Sequence, residues 1–480
     1  MKAGRQCPGY QEIHNWIASS TNSAKAAAEQ SNTNIVVAPQ IPLEEKASCF
    51  FVANWVLLPR KTDFSGFLDC LLPLTRSKTI PTHLHYALSA CSIACFGNGR
   101  RADLNNYALW LHTKAVAATA TALQDAQISK HDSTIATILL LGVFENITPK
   151  KIGATRWGNH ADAVVKLVVA RGYDQLQTKQ GRTLFNAIRS QEIVRMLVHQ
   201  KLPEQDAAWW FTHCADDPLG MCEHLNFCAA QLQARTHHFL INYSDATNHP
   251  IKLVELINEC RDLDMTLAAH GDSLRTLCDW ETVAWQDGPS MHDYFSADVF
   301  PGRIDVYGDR FVVRHWNFMR SSRLMLYSTM VRLAARLRAP LDYRSTPEYA
   351  VAVKICTDLI TDIIASVPYM LGQYPKSKRT TDDQRIAGFG CGNDAGQKCL
   401  YGCFLLWPLG CIEKQDYITD SQREWVNGRM DFISNELGLK CANRMVQVSY
   451  RIPSSLVEQD RISFDKKRRS GDMPVENRLE

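Results

Sequence analysis

The sequence contains no run approaching the ~20 consecutive apolar residues that span a bilayer. Its first residues, MKAGRQCPGYQEIHNW, lack the continuous apolar core of a secretory signal. Both absences point to an intracellular chain with no membrane partner, whose 16 cysteines are mostly reduced thiols. No Cys-x-x-Cys occurs among them, so the short paired spacing of a structural zinc site is missing. Charge of one sign is missing as well. Lys and Arg number 53 against 50 Asp and Glu, and a net +3 is too little for a protein that grips nucleic acid through a broad basic surface of its own.

What the chain has in plenty is apolar periodicity. Of its 480 residues 45% are hydrophobic and 21% charged, enough for one extensive core or two fused ones. The stretch 131–145 (HDSTIATILLLGVFE) opens on the capping candidates Asp132 and Ser133 and then leaves almost no polar face, so it reads as a buried helix. A short loop later, 160–172 (HADAVVKLVVARG) carries a broad apolar stripe, with Asp162 and Lys166 one turn apart and Gly172 as a left-handed stop. Further helices are expected over 64–74, 83–96, 103–124, 181–199, 222–237, 251–269, 273–285, 314–337, 348–370, 398–409 and 421–437, the last closed by Gly438. Residues 310–313 form an ambiguous strand run, and no fixed-period repeat is present. The fold class is therefore all-α: a large multi-helix body at 46–452, in one piece or as two packed halves. A polar arm at 1–45 precedes it and a polar tail at 453–480 follows.

Several short motifs recur in a fixed order along this body. They are 84–97 (LHYALSACSIACFG), then Leu109, Leu123 and Gln124, then Gly142 to Glu145, and His160 and Ala161 leading into Leu167 and Arg171-Gly172. Gly181-Arg182 with Leu184-Phe185 and Arg189-Ser190-Gln191 come next. Trp316-Asn317 with Arg320-Ser321-Ser322-Arg323 follow, and then Leu406 to Leu409 with Arg423, Trp425 and Gly438. In that order they resemble the regulatory domain of fungal-specific transcription factors, over roughly residues 48 to 448. That helical region usually follows a binuclear zinc cluster, in which six cysteines hold two metal ions and aim a short helix at the major groove. Here only Cys7 precedes Cys49.

The resemblance implies a nuclear, non-enzymatic regulator of transcription, commonly of a pathway or a secondary-metabolite gene cluster. Its partners would be other transcription factors or the activation machinery, with a homo- or hetero-dimer in prospect. DNA would be reached indirectly, or through a zinc cluster encoded by an upstream exon. No catalytic, cofactor-binding or metal-binding residue is assigned.

The densest basic run comprises Arg303, Arg310, Arg314, Arg320, Arg323, Arg332, Arg336, Arg338 and Arg344. Arg320 and Arg323, then Arg332 and Arg336, recur at helical spacing and offer a basic contact face for an acidic partner or for phosphates. The plainer alternative is a solvated, ion-paired face, with Asp298, Asp305, Asp309 and Asp342 near enough in sequence to neutralise it. In the tail, Lys466, Lys467, Arg468 and Arg469 have the composition of a nuclear import signal. Cys391, Cys399, Cys403 and Cys411 read as buried thiols, because their spacings do not suit a zinc site. His213, Cys214, Cys222, His224, Cys228, His237 and His238 form a looser cluster without ligand spacing. Residues 388–398 (GFGCGNDAGQK) lack the Gly-Lys-Ser/Thr ending of a phosphate loop. The rival functions are an all-α enzyme of the terpene-cyclase kind and a cytoplasmic helical scaffold or ligand sensor. For the enzyme, Asp216-Asp217 and Asp382-Asp383 bring no second acidic group at the distance Mg²⁺ binding requires. Trp407 is expected to anchor the core.

Overall fold

The computed structural model describes residues 41–58, 66–98, 102–148, 157–212, 218–242, 249–276, 279–288, 293–374, 398–446, 451–460 and 462. Contacts divide the chain at Pro42, and every helix and strand belongs to the unit Leu43–Glu480. Helix follows helix through α1 (Leu43–Trp55), α2 (Leu71–Thr75), α3 (Thr82–Gly97), α4 (Ala102–Gln124), α5 (Asp132–Ile147), α6 (Trp157–Arg171), α7 (Lys179–His199), α8 (Ala207–Phe211), α9 (Pro218–Asn242) and α10 (Pro250–Arg275). A two-stranded antiparallel hairpin interrupts them, β1 (Trp280–Gln286) with β2 (Gly302–Tyr307). Then come α11 (Arg310–Arg338), α12 (Pro347–Met370), α13 (Cys399–Glu413), α14 (Asp420–Asn435), α15 (Cys441–Val446) and α16 (Ser454–Gln459).

The all-α expectation is met. Helix α5 is buried on nearly every side, as its lack of a polar face predicts. It packs between α3, α4, α6 and α7, and the packing continues through α9 to α11, which α10, α12 and α13 flank. One continuous apolar cluster runs through all of them. Gly172 (φ +64°) and Gly438 (φ +83°) take the left-handed conformation expected of helix stops. No described helix is long and apolar enough to cross a membrane.

Four local readings need correction. Asp132 and Ser133 make no capping bond to α5; Asp132 instead accepts from Arg171 of α6 at 2.5 Å, and the Ser133 hydroxyl lies 3.3 Å from His83 of α3. The break expected near 270 does not exist, because Gly271 lies against the Trp316 ring and α10 runs through it. Residues 280–285, expected as the end of a helix, are strand β1, in keeping with the strand preference of Trp, Thr and Val. Residues 310–313 are the first turn of α11 and not a strand. Beyond these four, two bounds shift: α1 begins at Leu43, inside the arm expected at 1–45, and α16 lies inside the tail expected from 453, with Leu456 and Val457 buried. The basic cluster Lys466, Lys467, Arg468 and Arg469 lies outside the described residues.

Candidate functional site

The region richest in chemistry is α11, whose 29 residues give a rod about 43 Å long. Asp309 caps it, its carboxylate accepting from Phe311 N–H at 2.7 Å, and Arg336 and Arg338 in the last turn oppose the helix dipole. Most of its side chains are buried, including Arg320, Arg332 and Arg336. The basic contact face expected of Arg320, Arg323, Arg332 and Arg336 is therefore corrected: these arginines point into the protein.

Arg320, Arg323 and Arg332 each meet a carboxylate from a different element. Arg320 donates to the Tyr307 hydroxyl at 2.9 Å and to Asn317 at 3.0 Å, and lies 3.6 Å from Asp362 of α12. Arg323 grips Asp264 of α10 at 2.6 and 3.2 Å, and the Tyr327 hydroxyl donates to the same carboxylate at 2.8 Å. Arg332 binds both oxygens of Asp460 at 2.6 Å and donates to His237 of α9 at 3.1 Å. Arg336 reaches the Asp460 carbonyl at 3.4 Å. Between the arginines, Asn317 donates to Ser366 and Ser322 to Asn226, both at 2.8 Å. The motif Trp316-Asn317 with Arg320-Ser321-Ser322-Arg323 is thus a polar seam that fixes the register of α11 against α9, α10 and α12.

Sequence proximity named one right acid, Asp305 for Arg303, and missed the partners of Arg320, Arg323 and Arg332. Asp298 pairs with Arg429, Asp309 and Asp342 serve as caps, and Asp305 sits 3.2 Å from Arg303. The partners of Arg323 and Arg332 lie 59 and 128 residues away. The available signal was local: Arg332 and Arg336 are set among Met, Val, Leu and Ala at 330–337, which marks a buried cation in need of an acid.

A second arginine extends the seam. Arg189 of α7 donates to Glu223 of α9 at 2.9 and 2.6 Å and stacks on Phe211, and the Ser190 hydroxyl donates to Glu223 at 2.7 Å. His315 of α11 holds its Nε2 4.0 Å from the same carboxylate, while its Nδ1 faces the Phe311 carbonyl at 3.1 Å. A cavity of about 10 Å³ opens between these groups, with room for about one water. Burial would raise the Glu223 pKa, but Arg189, Arg314, His315 and the Ser190 hydroxyl outweigh it and hold the carboxyl down at about 2. Burial, reinforced by Arg314, pushes His315 down to about 4 against the pull of Glu223. Both Arg189 nitrogens bond one oxygen of Glu223 and Ser190 donates to the other, and the pKa values of Glu223 and His315 are both pushed well below neutral. The set orders three helices and does not activate a nucleophile.

The remaining candidates fall into place around this core. Cys399 and Cys411 are buried and Cys403 half-buried; Cys399 lies 4.0 Å from Cys95 of α3, and Cys391 is outside the described residues. Of the His/Cys cluster, Cys222 faces the His315 carbonyl, Cys228 is half-buried, His224 stacks on Phe211, His237 accepts from Arg332 and His238 pairs with Asn242. His213 and Cys214 are outside the described residues, as are the acidic pairs at 216–217 and 382–383 and nearly all of 388–398. Among the described residues no three His, Cys, Asp or Glu side chains are placed to hold a metal ion. Trp407 is only partly buried, against Phe318, and its indole N–H has no partner. Trp407→Ala should therefore cost about 1–3 kcal/mol, read from a urea melt, below the loss expected of a fully enclosed ring.

The earlier of the ordered motifs, up to Arg189-Ser190-Gln191, lie within what the family comparison matches. Residues 51–285 match the family model for the fungal specific transcription factor domain. The resemblance seen in the motifs is thereby shown over 51–285, and the later motifs, from Trp316 on, lie beyond the matched segment. Over 410 residues, 83% of this chain and 90% of the other, the sequence is 22% identical to "Transcription factor dbaG" of Emericella nidulans. No solved structure matches the chain.

Proposed function

We propose that the protein is a nuclear, non-enzymatic regulator of transcription that controls genes of a fungal biosynthetic pathway and reaches promoters through partner proteins. The observation that carries the reading is the transcription factor domain at 51–285, together with a likeness to a transcription factor that spans most of both chains. Action through partners is supported by where the cations lie. Arg320, Arg323 and Arg332 of α11 are bound to carboxylates inside the protein, where phosphates do not reach them, and the net charge is +3. The pathway role rests on the family resemblance.

Deleting the gene in its native host and quantifying all transcripts tests this. A coordinated fall in a set of neighbouring biosynthetic genes is the expected result, and an unchanged transcriptome with an altered metabolite would overturn it in favour of an enzyme. Nuclear entry is assigned to Lys466, Lys467, Arg468 and Arg469. Replacing the four with alanine should move a fluorescently tagged protein toward the cytoplasm, and unchanged nuclear accumulation would reject that assignment.

A further inference from the structure

The hairpin differs from the rest of the body. Strand β1 takes its ladder bonds from β2 on one side, and among the described residues nothing pairs with its other edge. A free edge presents unpaired N–H and C=O groups to any strand that can add to it, and β1 holds neither of the usual blocking residues, Lys or Pro. Its bulge falls between Thr282 and Ala284. Trp285 is 77% exposed, a large apolar surface for a chain to leave in water, and Val283 is 39% exposed.

The electrostatic setting selects the occupant. Between residues 276 and 301 there is no Lys or Arg. Asp279, Glu281, Asp287 and Asp293 are exposed, and among the described residues none of them is in an ion pair. Two cations flank them: Arg275 is exposed and lies 4.8 Å over the Trp280 ring, while Arg303, opposite Trp285 in the ladder, is bound to Asp305 and Asp362, so the exposed charge at the hairpin is four carboxylates against one guanidinium.

From the free edge, the exposed indole and this excess of exposed carboxylates, we infer that β1 is the docking site of an extended, Lys/Arg-rich segment of a partner protein. The segment adds as a strand to the outer edge of β1 and sets a cation against the Trp285 indole. Its charge neutralises the carboxylates of Asp279, Glu281, Asp287 and Asp293. The inference is independent of any promoter role, because the hairpin presents the same edge and field in either compartment.

The test uses the full chain and a fluorescent peptide in which Arg alternates with Val and Thr, followed by anisotropy. Binding should weaken steeply with salt and vanish when the peptide arginines become glutamine. Alternate backbone N-methylation of the peptide, which removes strand donors but not charge, should abolish it. Trp285→Ala, and separately the double variant Glu281→Gln with Asp287→Asn, should each weaken binding about tenfold or more, since buried Trp and desolvated charge pairs dominate interfaces. These residues are exposed, so unchanged thermal melting of the variants will show the fold intact. No binding by the parent chain, equal binding by the Trp285 variant, or indifference to N-methylation would each overturn the assignment. So would peptide binding that appears only after Lys466, Lys467, Arg468 and Arg469 are replaced by alanine, since the edge would then belong to this chain's own tail.

Discussion

Replacing Glu223 by alanine is expected to lower the unfolding free energy by about 3–5 kcal/mol, because it strands a buried guanidinium. Arg189 would keep its place under Phe211 with no carboxylate to answer it, and the Ser190 hydroxyl would lose its acceptor. Glu223→Gln should fall between, since the amide oxygen still accepts one hydrogen bond while the charge is gone. The measurement is the urea midpoint of each variant at neutral pH. An alanine variant that unfolds with the parent would mean that Arg189 escapes to solvent and that the seam contributes nothing there.

The same site sets an acid limit. A carboxyl held at about 2 in the folded chain, against an ordinary 4.5, contributes stability that is complete above pH 4.5 and drains away as the pH falls toward 2. His315, lowered to about 4 from 6.5, acts over a higher window: below pH 6.5 the unfolded chain takes up a proton that the folded chain refuses. Stability should therefore begin to fall below pH 6.5 and fall faster below 4.5, with each group worth about 3 kcal/mol at most. Because the two groups interact, the total is less than their sum. In Glu223→Gln the lower window should disappear while the upper one remains.

Helices and their stops were legible in the sequence wherever the cause is local. The absence of a polar face on 132–147 and the glycines at 172 and 438 carry their meaning within a few residues, and the structure follows them. The arginines of α11 show where such reading ends. Their spacing correctly placed them on a helix, but spacing alone does not say whether a face looks inward. That was decided by Asp264, Asp362 and Asp460, carboxylates brought to the helix by α10, α12 and the residue after α16. The hairpin was missed for a related reason. Residues 280–286 follow directly on a long helical run, and strand preference there is expressed only once 302–307 returns to pair with it. Short helices such as α8 and α15 span too little chain to show a period at all.

The tryptophan that anchors the late helices is Trp425 and not Trp407, and Trp425→Ala is expected to cost about 3–5 kcal/mol for the lost ring alone. The ring is wholly buried, its indole N–H donates to the Ala297 carbonyl at 3.0 Å, and Phe300 meets it edge-on at 5.9 Å. Alanine would empty that space and leave the Ala297 carbonyl unsatisfied, about 1 kcal/mol more. One turn on, Gly428 lies so close to the Phe295 carbonyl that any Cβ would collide with it. Two adjacent turns of α14 therefore clamp the segment 295–300, which carries the chain from β1 back to β2. Loosening the clamp should reach the hairpin first. In hydrogen exchange, Trp425→Ala should deprotect the amides of 302–307 while those of α5, enclosed by α3, α4, α6 and α7, hold. Gly428→Ala should do the same by collision instead of by cavity. Uniform loss of protection along the chain in both variants would show instead that α14 and the hairpin open only with the whole body.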